Sequence, residues 1–129
     1  MLSACDTGLG SVSVSGGGEG VYGLQRAFHV AGAQNVIASL WKVDDDATCA
    51  LMALFYRHLW VEKRSPLEAL RQAQLHVYRN PQVIAELAKK RGIDFSEREL
   101  PAVTAKPAEK DRTAHPSLWA AFVLSGTGR

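Results

Sequence analysis

The sequence predicts an α/β fold, and three observations carry that reading. In about the first forty residues a short apolar run, a helical pattern and a β-branched run follow one another. That is the order of a βαβ unit, which requires a parallel pair of strands. In mid-chain, Ser65-Pro66-Leu67-Glu68 is a capping box with proline at the first helical position, a strong helix start. Near the C-terminus, Trp119 to Leu124 (WAAFVL) is one more apolar run of strand length. The expected order is β-α-β-α-α-α-β, with about three strands.

The elements follow in order. Leu2-Ser3-Ala4-Cys5 is apolar and stops at Asp6-Thr7-Gly8, the pattern of a buried strand end. Ser11 to Gly18 (SVSVSGGG) is the nearest approach to low complexity and reads as a mobile loop. From Glu19, the residues Val21, Leu24, Phe28 and Ala31 fall on one helical face, with Gly32 placed as the C-cap. Asn35 to Trp41 (NVIASLW) is β-branched and apolar, a second buried strand. Asp44, Asp45 and Asp46 precede a helix expected to run to about Trp60, with Leu51, Leu54, Phe55 and Leu59 in the core. Acidic side chains there satisfy free N–H groups and suit the positive end of the helix dipole. The helix opened at Ser65 has Leu67, Leu70, Ala73 (or Gln74) and Val77 as its apolar face and ends near Asn80-Pro81. A short helix from about Gln82 to Arg91 stops at Gly92. Residues 93–115 are expected to be a surface loop, and the final strand closes at Ser125-Gly126.

Composition bounds what such a fold does. The chain has 129 residues, a net charge of +2, 47% hydrophobic and 22% charged residues. That suits one soluble domain able to bury a core. It excludes wholesale disorder, and no stretch approaches the ~20 apolar residues of a membrane span. The N-terminus lacks the basic and apolar regions of a signal peptide. Two cysteines, Cys5 and Cys49, are too few for a disulfide scaffold and read as reduced thiols of a cytoplasmic protein. The small charge balance, with bases and acids interleaved, gives no reason to expect nucleic acid. Charge is uneven along the chain. Only Asp6, Glu19 and Arg26 are charged between Met1 and Trp41, whereas thirteen charged residues lie between Glu86 and Arg112. The first stretch reads as interior and ligand-facing loop, the second as solvated surface.

In open α/β sheets, sites lie beyond the carboxyl ends of parallel strands. Cys5-Asp6-Thr7-Gly8 and Trp41-Lys42-Val43-Asp44-Asp45 both qualify, and neighbouring strands would put them on one rim. A free cysteine is usually an inert buried residue. Cys49, inside an apolar helix, keeps that reading, whereas Cys5 stands at a strand end before a glycine loop, where a thiol is accessible. A catalytic thiol needs a base. His29, His58 and His76 fall on helices as surface or rim residues, and His115 is the least unsuitable partner in the chain. No spacing of histidine and cysteine fits a metal, and no cofactor is indicated. Gly16-Gly17-Gly18-Glu19-Gly20 leads into a helix N-terminus, as phosphate cradles do. It lacks both the GxGxxG and the GxxxxGK[ST] pattern, and Glu19 repels anions. A flavodoxin-like phosphate binder is therefore the weakest alternative.

An ordered set of segments resembles the C-terminal half of a CHAT domain, the caspase-like module often attached to tetratricopeptide repeats. The set begins with Leu2-Ser3-Ala4-Cys5-Asp6-Thr7-Gly8, Gly18-Glu19-Gly20-Val21, Arg26-Ala27-Phe28 and Ala31-Gly32-Ala33. It continues with Val36 to Asp45 (VIASLWKVDD), Pro66 with Glu68-Ala69-Leu70-Arg71, and Trp119 to Gly126 (WAAFVLSG). Each is weak alone, but together they run in the family's order across nearly the whole chain. The resemblance implies a three-layer α/β/α sandwich of the caspase type and a Cys–His endopeptidase related to caspases, separases and gingipains. In it, Cys5 matches the nucleophile. The acidic loop is similar to the separase specificity loop, where an aspartate receives a basic side chain bidentately. Asp45 is the best match for that aspartate and Asp44 the next, while Ser39 and Trp41 match the segment that lines the pocket and pairs with substrate backbone.

The pattern departs from the family at one point. The dyad histidine belongs to a His-Gly motif upstream of the cysteine, and only Met1 to Ala4 precede Cys5 here. The chain is therefore expected to be the C-terminal part of one such domain over residues 1–129, without the first strands and without turnover on its own. Two functions follow as expectations. One is an Arg- or Lys-directed cysteine endopeptidase acting on peptide or protein substrates, with repeats upstream in the full-length protein. The other is a non-catalytic interaction module in a signalling or defence assembly. For Asp45 the alternative is a plain helix cap, for Trp41 core packing, and for Ser39 an ordinary strand position.

Overall fold

The computed structural model describes residues 19–89 and 113–129. The expected strand at Leu2–Cys5, the glycine loop and residues 93–112 of the expected surface loop lie outside the described residues. Helix α1 spans Glu19–Val30. It ends as glycine C-caps do, with Gly32 at φ 97°. The Gly32 N–H donates to the His29 carbonyl at 3.0 Å and the Ala33 N–H to the Phe28 carbonyl at 2.9 Å, the paired bonds of a Schellman closure. Ala31 falls past the helix end and is exposed, while Phe28 is half-buried.

Strand β1 (Asn35–Ser39) pairs with strand β2 (Phe122–Gly126). The pairing is antiparallel, in register from Asn35 opposite Gly126 to Ser39 opposite Phe122. Among the described residues the sheet has these two strands. The mixture of helix and sheet is compatible with the α/β class. The parallel pair of the βαβ reading involves Leu2–Cys5 and lies outside the described residues. Strand β2 begins three residues later than the apolar run suggests. Pro116–Leu118 form a 3-10 turn, and the Trp119 and Ala120 N–H groups both donate back to the Pro116 carbonyl, at 3.3 and 2.8 Å. The chain cannot extend until that turn is complete. Ser125 and Gly126, expected to close the strand, are its last two residues.

Helix α2 spans Asp45–Tyr56. The expected continuation to Trp60 exists but changes pitch, becoming a π-helical turn over Arg57–Val61. The Glu62 N–H reaches the Arg57 carbonyl at 3.2 Å, and Lys63, at φ 54°, ends the turn. Helix α3 spans Pro66–Arg79, with the Ser65 side chain accepting from the Glu68 N–H as the capping box requires. Helix α4 spans Gln82–Lys89.

The core lies between α2, α3 and α4 and the inner side of β2. Ala47, Ala50, Leu51, Ala69, Ala73, Val77 and Ala121 have 0% exposure. With alanine at four of these α2 and α3 positions, the two helix backbones approach closely, and little volume remains to be filled. Leu54 and Phe55 are buried as expected, and Leu59 packs half-buried against the same cluster. Leu67 corrects the expected α3 face. It sits in the exposed first turn, 57% accessible, and the buried face is made by Ala69, Leu70, Ala73 and Val77. No helix among the described residues is long and apolar enough to cross a membrane.

Candidate functional site

The candidate site is the stretch by which the chain leaves β1 and enters α2. Ser39 is the last paired residue of β1 and is half-buried. One further rung follows, from the Leu40 N–H to the Ala121 carbonyl at 2.9 Å. Beyond it only Val43 turns inward, 4% exposed and part of the core. Trp41, Lys42, Asp44, Asp45 and Asp46 are all exposed. A single apolar anchor therefore fixes the loop and leaves its polar side chains and one indole at the rim.

The three aspartates differ in what their positions use. Asp44 is the N-cap of α2, and its Oδ1 accepts from the Asp46 N–H at 3.0 Å and the Ala47 N–H at 3.1 Å. Its backbone carbonyl accepts from the Thr48 hydroxyl at 3.0 Å. Asp45 is the first helical residue. Among the described residues, nothing forms a hydrogen bond or ion pair with its carboxylate. It lies where the helix dipole favours negative charge, with both oxygens free to accept. The cap and an open carboxylate thus fall on adjacent residues.

Trp41 is 37% exposed, and its Nε1–H donates to the Ser117 carbonyl at 3.1 Å. The site therefore brings together Ser39, Trp41, Asp44 and Asp45 within one short segment, with the 3-10 turn beside it. Cys5 lies outside the described residues, so its relation to that segment is not part of the geometry. Cys49 is a half-buried free thiol within α2.

The histidines are occupied or enclosed. His29 bridges two elements. Its Nδ1 lies 2.8 Å from the Ala33 carbonyl and its Nε2 lies 2.9 Å from the Ser125 hydroxyl. A carbonyl only accepts, so Nδ1 carries the proton, and in the neutral ring Nε2 accepts from Ser125. His115 caps the 3-10 turn through Nδ1, which accepts from the Ser117 N–H at 3.3 Å. His58 departs from the expected rim placement. Its side chain is 12% exposed, with Nδ1 3.0 Å from Glu62 Oε1. That contact has an ion-pair distance without hydrogen-bond alignment, and among the described residues neither ring nitrogen has a hydrogen-bond partner. The hydrogen bond from Arg64, with further help from His58, holds the Glu62 carboxyl below its usual range. Burial, with the nearby His58 and Arg57 charges, lowers the His76 imidazole.

Two features of this region escape a reading of the sequence. One is the Gln74 side chain, whose Nε2 donates to the Trp119 and Phe122 carbonyls at 3.2 and 2.9 Å and so joins α3 to the entry of β2. The other is the His29–Ser125 bridge. Their partners lie 45 or more residues away, and no local pattern announces them.

The family model described as the CHAT domain matches residues 1–127 of this chain. No curated protein and no solved structure matches it.

Proposed function

Because the chain belongs to the CHAT domain family, which is caspase-like and related to peptidases, we propose that it supplies the nucleophile and the basic-residue pocket of a cysteine endopeptidase. The observation that supports this most strongly is the division of labour between Asp44 and Asp45. Asp44 satisfies the helix N-terminus, so the exposed Asp45 carboxylate is available to pair bidentately with an incoming guanidinium. Trp41 forms a wall of the pocket, and Ser39 offers backbone for an added substrate strand. The Cys5 thiolate attacks the carbonyl carbon of the scissile peptide. The C–N bond breaks, the amine leaves with a proton from the catalytic acid, and water then hydrolyses the thioester.

The base is assigned to none of the four histidines. His29 and His115 are engaged in structural hydrogen bonds, and the His58 ring is enclosed beside Glu62. His76 stands on α3, near the charges of His58 and Arg57 in the π-helical turn. The base role falls to the His-Gly histidine that such domains carry ahead of the thiol. Attached tetratricopeptide or other repeats bring the substrate.

The test is the product of the complete reading frame, assayed on fluorogenic peptides ending in Arg, Lys or Asp. Cleavage after Arg and Lys, abolished by Cys5→Ala and reduced about a hundredfold by Asp45→Asn, is the expected result. Activity that survives Cys5→Ala would overturn the assignment. Binding of Arg peptides with no turnover from the complete product would favour the non-catalytic interaction module.

A further inference from the structure

The indole of Trp41 is held at the rim by a segment far away in the sequence. Its only polar hydrogen goes to the Ser117 carbonyl, 76 residues downstream. The Leu40 N–H is bound to Ala121 in the same segment. The direction of the Ser117 carbonyl is in turn set by the 3-10 turn. Pro116 fixes the first φ of that turn. The Leu118 N–H donates to the His115 carbonyl at 3.0 Å. The His115 ring takes the place of an N-cap side chain, with Nδ1 3.3 Å from the Ser117 N–H and 2.8 Å from the Ser117 hydroxyl. The turn is seated on α3. The Ala114 N–H donates to the Tyr78 carbonyl at 2.9 Å, the Trp119 Nε1–H donates to the Ala114 carbonyl at 3.2 Å, and the Tyr78 and Trp119 rings meet edge to face.

We propose that His115 and Ser117 are positioning residues for Trp41, so that the turn before β2 sets the shape of the pocket wall at the exit of β1. An exposed tryptophan at a loop is free to choose among rotamers, and one hydrogen bond to a rigid carbonyl removes most of that freedom before a ligand arrives. The bond contributes modestly to the fold, as an exposed neutral hydrogen bond does. Its larger consequence is preorganisation, because a wall already in place costs no ordering when peptide binds. The role of this wall in binding rests on the peptidase reading given above, whereas the tether itself does not.

The two are separated by observing the indole directly. In the 129-residue chain labelled with ¹⁵N-tryptophan, the Trp41 indole N–H is assigned by its loss in Trp41→Phe. It should exchange with solvent about tenfold more slowly than that of Trp60, whose residue is 62% exposed. His115→Ala should bring Trp41 to the Trp60 rate. His115→Asn, which retains a capping acceptor, should restore protection. Ser117→Ala, removing only the hydroxyl contact, should give a smaller change in the same direction and serves if His115→Ala does not fold. With an Arg-containing peptide as probe, His115→Ala and Trp41→Phe should each weaken binding about fivefold, and the double variant no more than either alone. Unchanged Trp41 exchange in the folded His115→Ala chain would overturn the proposal, as would additive losses in the double variant. Exchange that moves as expected in a chain that binds no Arg peptide would leave the tether standing and remove the pocket reading.

Discussion

The two ends of β1 are held in different ways. At its start the chain is fixed by backbone geometry. Gly126 adopts φ 131°, and a Cβ there would collide with the Gln34 carbonyl oxygen. The Thr127 N–H donates to that same carbonyl at 3.3 Å. The Asn35 side chain accepts from the Gly128 N–H at 2.8 Å and donates to the Arg129 carbonyl at 3.0 Å. The Gly128 carbonyl accepts from the Leu67 N–H at 3.4 Å, tying the tail to the first turn of α3. At the other end, past the Leu40–Ala121 rung, one buried valine and one indole hydrogen bond hold the segment, and the charged side chains stand in solvent. The first end is built so that few substitutions fit. At the second, the Asp44 cap aside, the exposed side chains carry little of the fold.

Four substitutions break or sharpen that contrast. Gly126→Ala meets both a left-handed φ and the Gln34 carbonyl, and should cost about 3 kcal/mol or more in urea unfolding. Asn35→Ala leaves the buried Gly128 N–H without its acceptor and should cost about 1–2 kcal/mol by the same measurement. Asp44→Ala removes a cap that satisfies two N–H groups, for a loss of about 1 kcal/mol, recovered by Asp44→Ser. Asp45→Asn should stay within about 0.5 kcal/mol of the parent. A large loss on Asp45→Asn, or none on Gly126→Ala, would erase the distinction between the two ends.

The sequence makes these regions legible to different degrees. Helix starts and stops are local chemistry, so Gly32, the Ser65-Pro66-Glu68 box and the aspartates before α2 announce their roles directly. Strand partnership is not local. Nothing in Asn35–Ser39 indicates that its partner is Phe122–Gly126 or that the pair runs antiparallel. The apolar run at Trp119 looks like strand although Pro116 still has to complete a turn. The tail shows the same limit, because Gly126 and Gly128 read as loop punctuation while the structure uses both to clasp Asn35 and Leu67. In the candidate site, the resemblance picks out the segment from Ser39 to Asp45. The three adjacent aspartates are chemically equivalent in the sequence. Only the backbone angles at Asp44, φ −54° and ψ 139°, separate the residue that caps from the residue that remains open.

On the peptidase reading, the open carboxylate of Asp45 receives a basic side chain. Calorimetric titration of the chain with an Arg-containing peptide, and with the same peptide carrying citrulline in place of Arg, tests it most directly. Citrulline keeps the shape and removes the charge. The account predicts that the Arg peptide binds at least about tenfold more tightly. It also predicts that Asp45→Asn abolishes this preference with the unfolding midpoint unchanged. Equal affinity for the two peptides, or a preference that survives Asp45→Asn, would contradict it.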